Sequence, residues 1–133
     1  MSAADFFDTN ILLYLLSADR TMAERAEELL VGGGIVSVQV LNEFASVGIR
    51  KLAMRIGEIK EILATIRRIC AVVPLAVETH ELGLDLAERY RYSVYDGMIL
   101  AAALDAGCTT LFSEDFQHKQ IIERLTIVNP FVP

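Results

Sequence analysis

The sequence predicts an α/β fold: a single domain with a mostly parallel central sheet of four to five short strands and helices on both faces. Its length of 133 residues suits one domain. Its composition, 53% apolar and 23% charged, is that of a compact globular protein. Short apolar runs alternate with segments of helical periodicity, which is typical of a parallel sheet that is covered on both faces.

The first elements are a strand and two helices. A short buried strand is expected to end near Asp8 and to lead into a short helix. Thr21 and Glu24 have the spacing of a capping box, which predicts a helix over residues 22–31. Three consecutive glycines follow, and they are expected to stop that helix.

A second strand and two longer helices come next. The strand is expected over residues 35–37, and Ser37 is a suitable cap for a helix over residues 38–52. The following helix has one apolar stripe at helical spacing, made of Ile59, Ile62, Leu63, Ile66 and Cys70. Both helices are therefore expected to bury one face and expose the other.

The second half predicts further strands and two more helices. The strands are expected at residues 72–75, 109–112 and 125–128. One helix is expected over residues 78–90, and another from Ser93 to Ala106. The latter is apolar on every side between Met98 and Leu104, which indicates an enclosed central helix. That run is far shorter than the about 20 residues of a membrane span, so no membrane segment is expected.

Charge and cysteine usage exclude several classes of protein. Twelve basic against eighteen acidic residues give a formal net charge of −6, which disfavours non-specific coating of nucleic acid. Cys70 and Cys108 are the only cysteines, so no cysteine-rich metal motif exists. The N-terminus lacks the basic start and apolar stretch of a secretion signal, and a cytoplasmic location is expected.

Four acidic residues occupy positions that this fold would bring together. Asp8 follows the first strand, Asp115 follows the fourth, and Asp96 opens the enclosed helix. Each of these could instead be a helix cap or a turn residue. Glu43 borders the apolar face of its helix and has no basic residue at i±3 or i±4. Ligands of parallel sheets bind beyond the carboxyl ends of the strands, where these side chains would meet.

A cluster of this kind predicts a divalent cation. Carboxylates that meet in a partly dry site repel one another, and a cation relieves that repulsion. Clusters without His or Cys prefer hard cations, Mg²⁺ or Mn²⁺. The chemistry that follows is metal-assisted attack of water on a phosphodiester.

Four short segments resemble the motifs of PIN domains. They are Phe7-Asp8-Thr9-Asn10, Asn42-Glu43-Phe44, Tyr95-Asp96-Gly97-Met98-Ile99 and Leu111-Phe112-Ser113-Glu114-Asp115. In this order and spacing the chain resembles the PIN family from Phe6 to Val128, and more narrowly its VapC-like toxins of bacterial and archaeal toxin–antitoxin pairs. The resemblance implies a single PIN-like domain over residues 1–133.

The resemblance also implies an activity, a cofactor and partners. It implies a Mg²⁺- or Mn²⁺-dependent ribonuclease whose catalytic and metal-binding residues are Asp8, Glu43, Asp96 and Asp115. Asn10 matches a polar position that orients the first carboxylate, and Ser113 matches a hydroxyl position near the metal. Asp115 is favoured over Glu114 because it follows Ser113 by two residues. The implied partners are an RNA substrate, a small cognate antitoxin and a second copy of the chain.

Other side chains have both a functional and a structural explanation. A basic group could guide RNA phosphates or could simply be a solvated helix end; it consists of Arg50, Lys51 and Arg55. Tyr92 and Tyr95 could stack on bases, whereas Tyr90 is better explained as a core residue. The isoleucines of the striped helix could belong to the core or to a homodimer interface.

Two alternative functions remain open at this stage. A phosphatase of the haloacid dehalogenase type also places an Asp after its first strand, but it uses a second Asp where this chain has Asn10. A non-catalytic PIN-like binding module would retain the acidic residues only as caps.

Overall fold

The structure, a computed structural model, describes residues 4–133. The strands in that range are β1 (Asp5–Phe7), β2 (Gly34–Ser37), β3 (Cys70–Val73), β4 (Thr110–Phe112), β5 (Ile121–Ile122) and β6 (Leu125–Val128). The helices are α1 (Thr9–Leu13), which continues as a 3-10 turn, α2 (Arg20–Val31), α3 (Val38–Leu52), α4 (Ile56–Ile69), α5 (Val77–Tyr90) and α6 (Val94–Asp105).

The strands form one sheet in the order β3-β2-β1-β4-β6-β5. All neighbours are parallel except β5, which pairs antiparallel with β6. The predicted mostly parallel α/β sheet is therefore confirmed. The sheet has one strand more than the largest number expected, because the two-residue strand β5 is too short to produce a periodic signal in the sequence.

Helices cover both faces of the centre of the sheet. Phe6 and Phe7 are consecutive in β1 and point to opposite faces, yet both are fully buried. Phe7 stacks on Phe112, its partner in the register of β1 and β4, with ring centroids 5.7 Å apart. In α6 all residues from Gly97 to Leu104 are buried, which confirms the prediction of an enclosed helix.

Two helices begin where the sequence predicts. Ser37 caps α3 through its Oγ, which accepts a hydrogen bond from the Val40 amide at 3.3 Å. Ser93 caps α6 in the same way, since its Oγ accepts from the Asp96 amide at 3.1 Å. Because β2 ends at Ser37, the cap places the first turns of α3 at the carboxyl edge of the sheet.

Two local predictions are wrong. The N-cap of α2 is Asp19, which accepts from two amides of the first turn, and not Thr21, which lies inside the helix. Both residue types cap helices well, and the nearer Asp takes the position. Strand β3 begins at Cys70, so this residue ends the preceding helix and does not extend its apolar stripe.

The isoleucines of α4 divide between the core and a surface groove. Ile59 and Ile66 are buried in the core, whereas Ile62 is only partly buried. Ile62 lines an apolar groove of about 310 Å³ between α2 and α4, together with Leu30, Val31 and Ile69.

Within the described residues, no helix has the length and apolar character to cross a membrane.

Candidate active site

The carboxyl ends of β1 and β4 place two predicted site segments side by side. The two strands are neighbours in the sheet, and Phe7 pairs with Phe112. The residues that follow, Asp8 and Ser113, therefore meet beyond the strand ends. The connections leave β1 and β4 in opposite directions along the sheet, so this is the switch point where open α/β sheets bind ligands.

Asp8 is held by a compact set of hydrogen bonds. It is buried, and its Oδ1 accepts from the Thr9 amide at 2.7 Å. Its Oδ2 accepts from the Ser113 hydroxyl at 2.7 Å. The fixed carboxylate also caps the short helix α1, which confirms the capping explanation, and the cap is compatible with a role in a site at the strand ends.

Asn10 connects the first and fourth carboxylates. Its Nδ2 donates to Asp115 Oδ2 at 3.0 Å and lies 3.5 Å from Asp8 Oδ2. Ser113 accepts from the Asp115 amide at 3.1 Å, which fixes the turn after β4. Glu114 points elsewhere, since its Oε2 accepts from the Tyr14 hydroxyl at 2.8 Å. The structure therefore turns Asp115, and not Glu114, toward Asp8.

Glu43 reaches the same region from α3. Its Oε2 accepts from the Thr9 hydroxyl at 3.1 Å, and its Oε1 accepts from Gln39 Nε2 at 2.8 Å. Thr9 is the residue after Asp8, so this contact brings the two carboxylates to adjacent positions. Glu43 thus faces inward across the α1–α3 contact and does not point into solvent.

The charges of two of the acidic residues, Asp115 and Glu43, act on the other two. Burial raises the pKa of Asp8 to about 7; hydrogen bonds from Ser113 and Thr9 oppose this, and the charges of Asp115 and Glu43 add to it. Partial burial also raises the pKa of Asp96, and Asp115 and Glu43 again add to the effect. Asp115 and Glu43 therefore act on both Asp8 and Asp96, which links all four residues electrostatically.

Two grooves flank this acidic cluster, which we define as Asp8, Glu43, Asp96 and Asp115. The first, of about 500 Å³, is lined by Glu43 and by Gln39, Asn42, Ser46, Val47, Arg50 and Tyr95. The second, of about 300 Å³, includes Asn10, Glu114 and Lys51. Arg50 and Lys51 thus lie in the last turns of α3, one in each of two adjacent grooves that both contact Val47.

Of the remaining candidates for RNA contact, only Tyr95 lines one of these grooves. Arg55 follows the end of α3 and caps α4, where its amide donates to Glu58 Oε1 at 3.0 Å. Tyr92 is used in packing, because its ring contacts Phe116 edge-on and its hydroxyl bonds to Gln120. Tyr95 is exposed and lines the first groove.

Comparison with known protein families identifies the fold. The PIN domain family profile matches residues 6–123, which is most of the chain. The chain belongs to the PIN domain family. No curated protein sequence matches it significantly.

Solved structures resemble this PIN domain over nearly their full lengths. A toxin–antitoxin complex from Klebsiella pneumoniae has a TM-score of 0.73 at 20% identity, and the match covers 96% of this chain and 98% of that chain. The VapC20 toxin of Mycobacterium tuberculosis, described as cleaving the sarcin–ricin loop, has a TM-score of 0.69 at 20% identity and coverages of 84% and 92%. VapBC2 from Rickettsia felis, bound to promoter DNA, has a TM-score of 0.66 at 18% identity and coverages of 92% and 96%. The fold of this chain is therefore VapC-like.

Membership of the PIN family removes one alternative function. The haloacid dehalogenase interpretation relied on the Asp after the first strand, and that Asp lies within the segment that matches the PIN domain profile. In this chain Asn10 occupies the place of the second Asp and bonds to Asp115. The phosphatase alternative is therefore wrong.

The donor atoms at the cluster fit a hard divalent cation. They are carboxylate oxygens supplemented by the Ser113 hydroxyl, which is the oxygen chemistry that Mg²⁺ and Mn²⁺ prefer. The three ion pairs within residues 4–133 involve none of the four acidic residues, so no side-chain cation neutralises them. No three Asp, Glu, His or Cys side chains in that range lie close enough together to hold a metal ion, so the structure does not show the expected meeting of all four carboxylates around one cation. Magnesium keeps several water ligands and needs only one or two carboxylates, so the residues fit.

The raised pKa of Asp8 predicts that stability falls with rising pH. Between its usual pKa of 3.8 in the unfolded chain and about 7 in the fold, the folded protein holds a proton that the unfolded chain has lost. The free energy of unfolding should therefore decrease across this window, by on the order of 4 kcal/mol at most from Asp8. Urea unfolding in EDTA should show that Asp8→Asn is more stable than the wild type at pH 8 and gains little at pH 4.5. An equal difference at both pH values would contradict the assignment.

Two contributors to the site were not predicted. Gln39 and Thr9 hold Glu43, and neither was expected to do so. Gln39 lies one helical turn before Glu43, a spacing at which side chains of a helix interact, so its role was accessible from the sequence. The Thr9 contact depends on the packing of α1 against α3, which no local pattern encodes.

Proposed function

We propose that this PIN domain is a divalent-metal-dependent ribonuclease, the toxin of a toxin–antitoxin pair, which hydrolyses RNA phosphodiester bonds. The observation that carries the proposal is the acidic cluster: four electrostatically linked carboxylates beside the switch point of a PIN fold, one of them buried without a cationic partner among residues 4–133. Keeping ionisable groups in this arrangement costs stability, and a binding role explains it better than helix capping does.

The residues of the cluster would have different roles in catalysis. Asp8, Asp96 and Asp115 would hold Mg²⁺ or Mn²⁺, directly or through water, and Glu43 would either ligate from the α3 side or orient the attacking water. When bound, the ion supplies the positive charge that activates water and offsets charge on the phosphate. Asn10 donates a hydrogen bond to Asp115, and Ser113 donates one to Asp8. These bonds hold the two carboxylates in fixed positions.

The supporting residues orient the carboxylate on α3. Gln39 and Thr9 each donate to one oxygen of Glu43, so both oxygens are fixed before substrate arrives. Arg50 and Lys51 add positive charge in the two adjacent grooves beside α3, where a phosphate backbone would pass. Local attraction of this kind is required because the net charge of −6 repels RNA as a whole.

A cleavage assay tests the proposal directly. Total RNA is incubated with the purified chain in Mg²⁺, in Mn²⁺ and in EDTA, and newly formed ends are mapped by sequencing. We expect ends at a small number of positions in both metals and none in EDTA. Cleavage that persists in EDTA would contradict the metal requirement, and intact RNA in both metals would contradict the nuclease.

We propose that the partner is a small antitoxin that docks into the apolar groove between α2 and α4. Structures that share this fold include toxin–antitoxin complexes. The groove is lined almost entirely by apolar side chains, and Val31 at its edge is 81% exposed. An amphipathic helix is the peptide form that fits such a groove. With an RNA substrate and such an inhibitor, the toxin would act in the cytoplasm, and we expect it to form a homodimer.

A charge placed in the groove should abolish binding of the antitoxin. Val31→Asp alters an exposed side chain, so the fold should tolerate it, yet it places a carboxylate in an apolar contact. Co-expression with the product of the neighbouring short reading frame should yield a complex with the wild type and at least a tenfold weaker one with the variant. Leu84→Asp, a matched change on the exposed side of α5, should leave the complex intact. Equal losses for the two variants would rule out this groove.

A further inference from the structure

The first groove beside the acidic cluster combines chemically different side chains along one face of α3. Gln39, Glu43 and Arg50 line it at helical spacing, and Tyr95 closes it from the start of α6. Its volume of about 500 Å³ falls within the range of roughly 300–1,000 Å³ that is usual for small-ligand sites. The groove therefore has room for a nucleotide-sized group next to Glu43.

Tyr95 presents an aromatic face that nothing in the fold requires. It is 65% exposed although the buried run of α6 begins only two residues later, at Gly97. The neighbouring tyrosines are only partly exposed and pack against the core. An exposed aromatic ring at the wall of a polar groove is the type of platform on which unpaired bases stack.

Arg50 supplies an uncommitted cation in the same groove. Its Nε donates to Ser46 Oγ at 3.0 Å, which orients the guanidinium and leaves its terminal amino groups available. Arg50 and Glu43 share the groove, yet neither takes part in any of the ion pairs found between residues 4 and 133. Unpaired opposite charges in one groove suit a ligand that carries both a phosphate and a metal-binding oxygen.

We infer that this groove binds one unpaired nucleotide of a single-stranded RNA segment, with its base stacked on Tyr95 and a flanking phosphate bound by Arg50. The inference rests on the proposed ribonuclease function and adds the form of substrate. Arg50 lies about two helical turns, or about 11 Å, from Glu43 along α3, so it would contact a phosphate next to the one being cleaved and not the scissile phosphate itself.

A tryptophan placed in the groove reports stacking directly. The chain contains no Trp, so Tyr95→Trp introduces a single tryptophan, whose fluorescence can be followed separately from that of the remaining tyrosines. A short oligouridylate is titrated in Ca²⁺, a hard cation used in place of Mg²⁺ to preserve the probe, and its integrity is checked afterwards. We expect saturable quenching of at least about twofold, because the base stacks on the indole. An abasic ribose-phosphate oligomer of the same length should cause no quenching.

Four further variants control the experiment. Val31→Trp places an exposed fluorophore before β2, at the amino edge of the sheet and away from the cluster, and it should not respond. Adding Arg50→Ala to Tyr95→Trp should raise the Kd of the probe at least fivefold. In the wild-type background, Tyr95→Ala should raise the Kd by about 5- to 150-fold, the range for the loss of one stacked base, and Tyr95→Phe should not.

The outcomes separate this inference from the function on which it rests. If labelled probe binds the wild type by anisotropy but Tyr95→Trp is not quenched, or Val31→Trp is quenched equally, the groove is not the nucleotide site. If the wild type cleaves folded RNA in Mg²⁺ without binding the single-stranded probe, the inference also fails while the ribonuclease stands. If it neither binds nor cleaves RNA, the proposed function itself is overturned.

Discussion

Replacing Asp8 with Asn is expected to lower metal-dependent RNA cleavage by at least about a hundredfold. Loss of a group that merely supports a metal ligand costs 10- to 100-fold, and Asp8 is the buried centre of the proposed site. The fold should survive, because the amide can still accept from Thr9 and the Ser113 hydroxyl can reverse its role and accept a hydrogen bond. Initial cleavage rates measured in Mg²⁺ and Mn²⁺ check the effect.

Asp5 provides a matched control on the same strand. It begins β1, whereas Asp8 follows the end of β1, so the two lie toward opposite edges of the sheet. Asp5 is only partly buried, and burial also raises its pKa, so Asp5→Asn is a control for the change in charge on the same strand. It should retain cleavage within about twofold. Undiminished cleavage by Asp8→Asn, or an equal loss in Asp5→Asn, would remove Asp8 from the mechanism.

Replacing Gly97 with Ala is expected to destabilise the protein by at least about 3 kcal/mol. Helices α5 and α6 approach so closely that a Cβ at Gly97 would lie 2.2 Å from the carbonyl oxygen of Gly83. That atom belongs to the backbone, so the helices must separate, and overpacking usually costs 1–3 kcal/mol even when side chains can yield. Gly97 follows Asp96 directly, so the shift should also displace this carboxylate and lower the rate of cleavage. Urea unfolding and cleavage rates test both effects.

Gly57 is the control for the chemical change itself. It lies near the start of α4, where an added Cβ would meet nothing within 4 Å. Gly57→Ala should be neutral or stabilise the fold by up to about 1 kcal/mol, because Ala favours the helix. If Gly97→Ala unfolded at the same urea concentration as the wild type, that result would contradict the close packing of α5 on α6.

The elements with strong local signals were predictable from the sequence. The bounds of α3 follow from the Ser37 cap and its 3.6-residue period, and α6 follows from a cap and an entirely apolar run. Strand β5 was missed because it has only two residues and pairs through a turn at Glu123, a non-glycine residue with a φ of 56°. The position of Cys70 fits both the apolar stripe of the preceding helix and the start of a strand. Only the pairing of β2 with β3 shows that Cys70 belongs to the strand.

The site was predictable where the topology alone determines it. Asp8 and Ser113 meet because β1 and β4 are parallel neighbours in register. In the sequence, only the spacing from Ser113 favoured Asp115 over Glu114. In the structure, Asn10 donates a hydrogen bond to Asp115 and Tyr14 donates one to Glu114, and both donors lie more than 90 residues earlier in the chain. The position of Arg50 in a groove with Tyr95 could not be predicted, because it needs the packing of α3 beside α6.

Calorimetric titration with Mn²⁺ tests the central claim, that the acidic cluster gathers negative charge to hold a divalent ion. The account predicts saturable binding by the wild type and Asp5→Asn, with affinity at least tenfold weaker in Asp8→Asn, Asp96→Asn and Asp115→Asn. Heats that are non-saturable in the wild type, or that are unchanged by all three substitutions, would contradict it and would favour a PIN domain whose carboxylates serve only as helix caps.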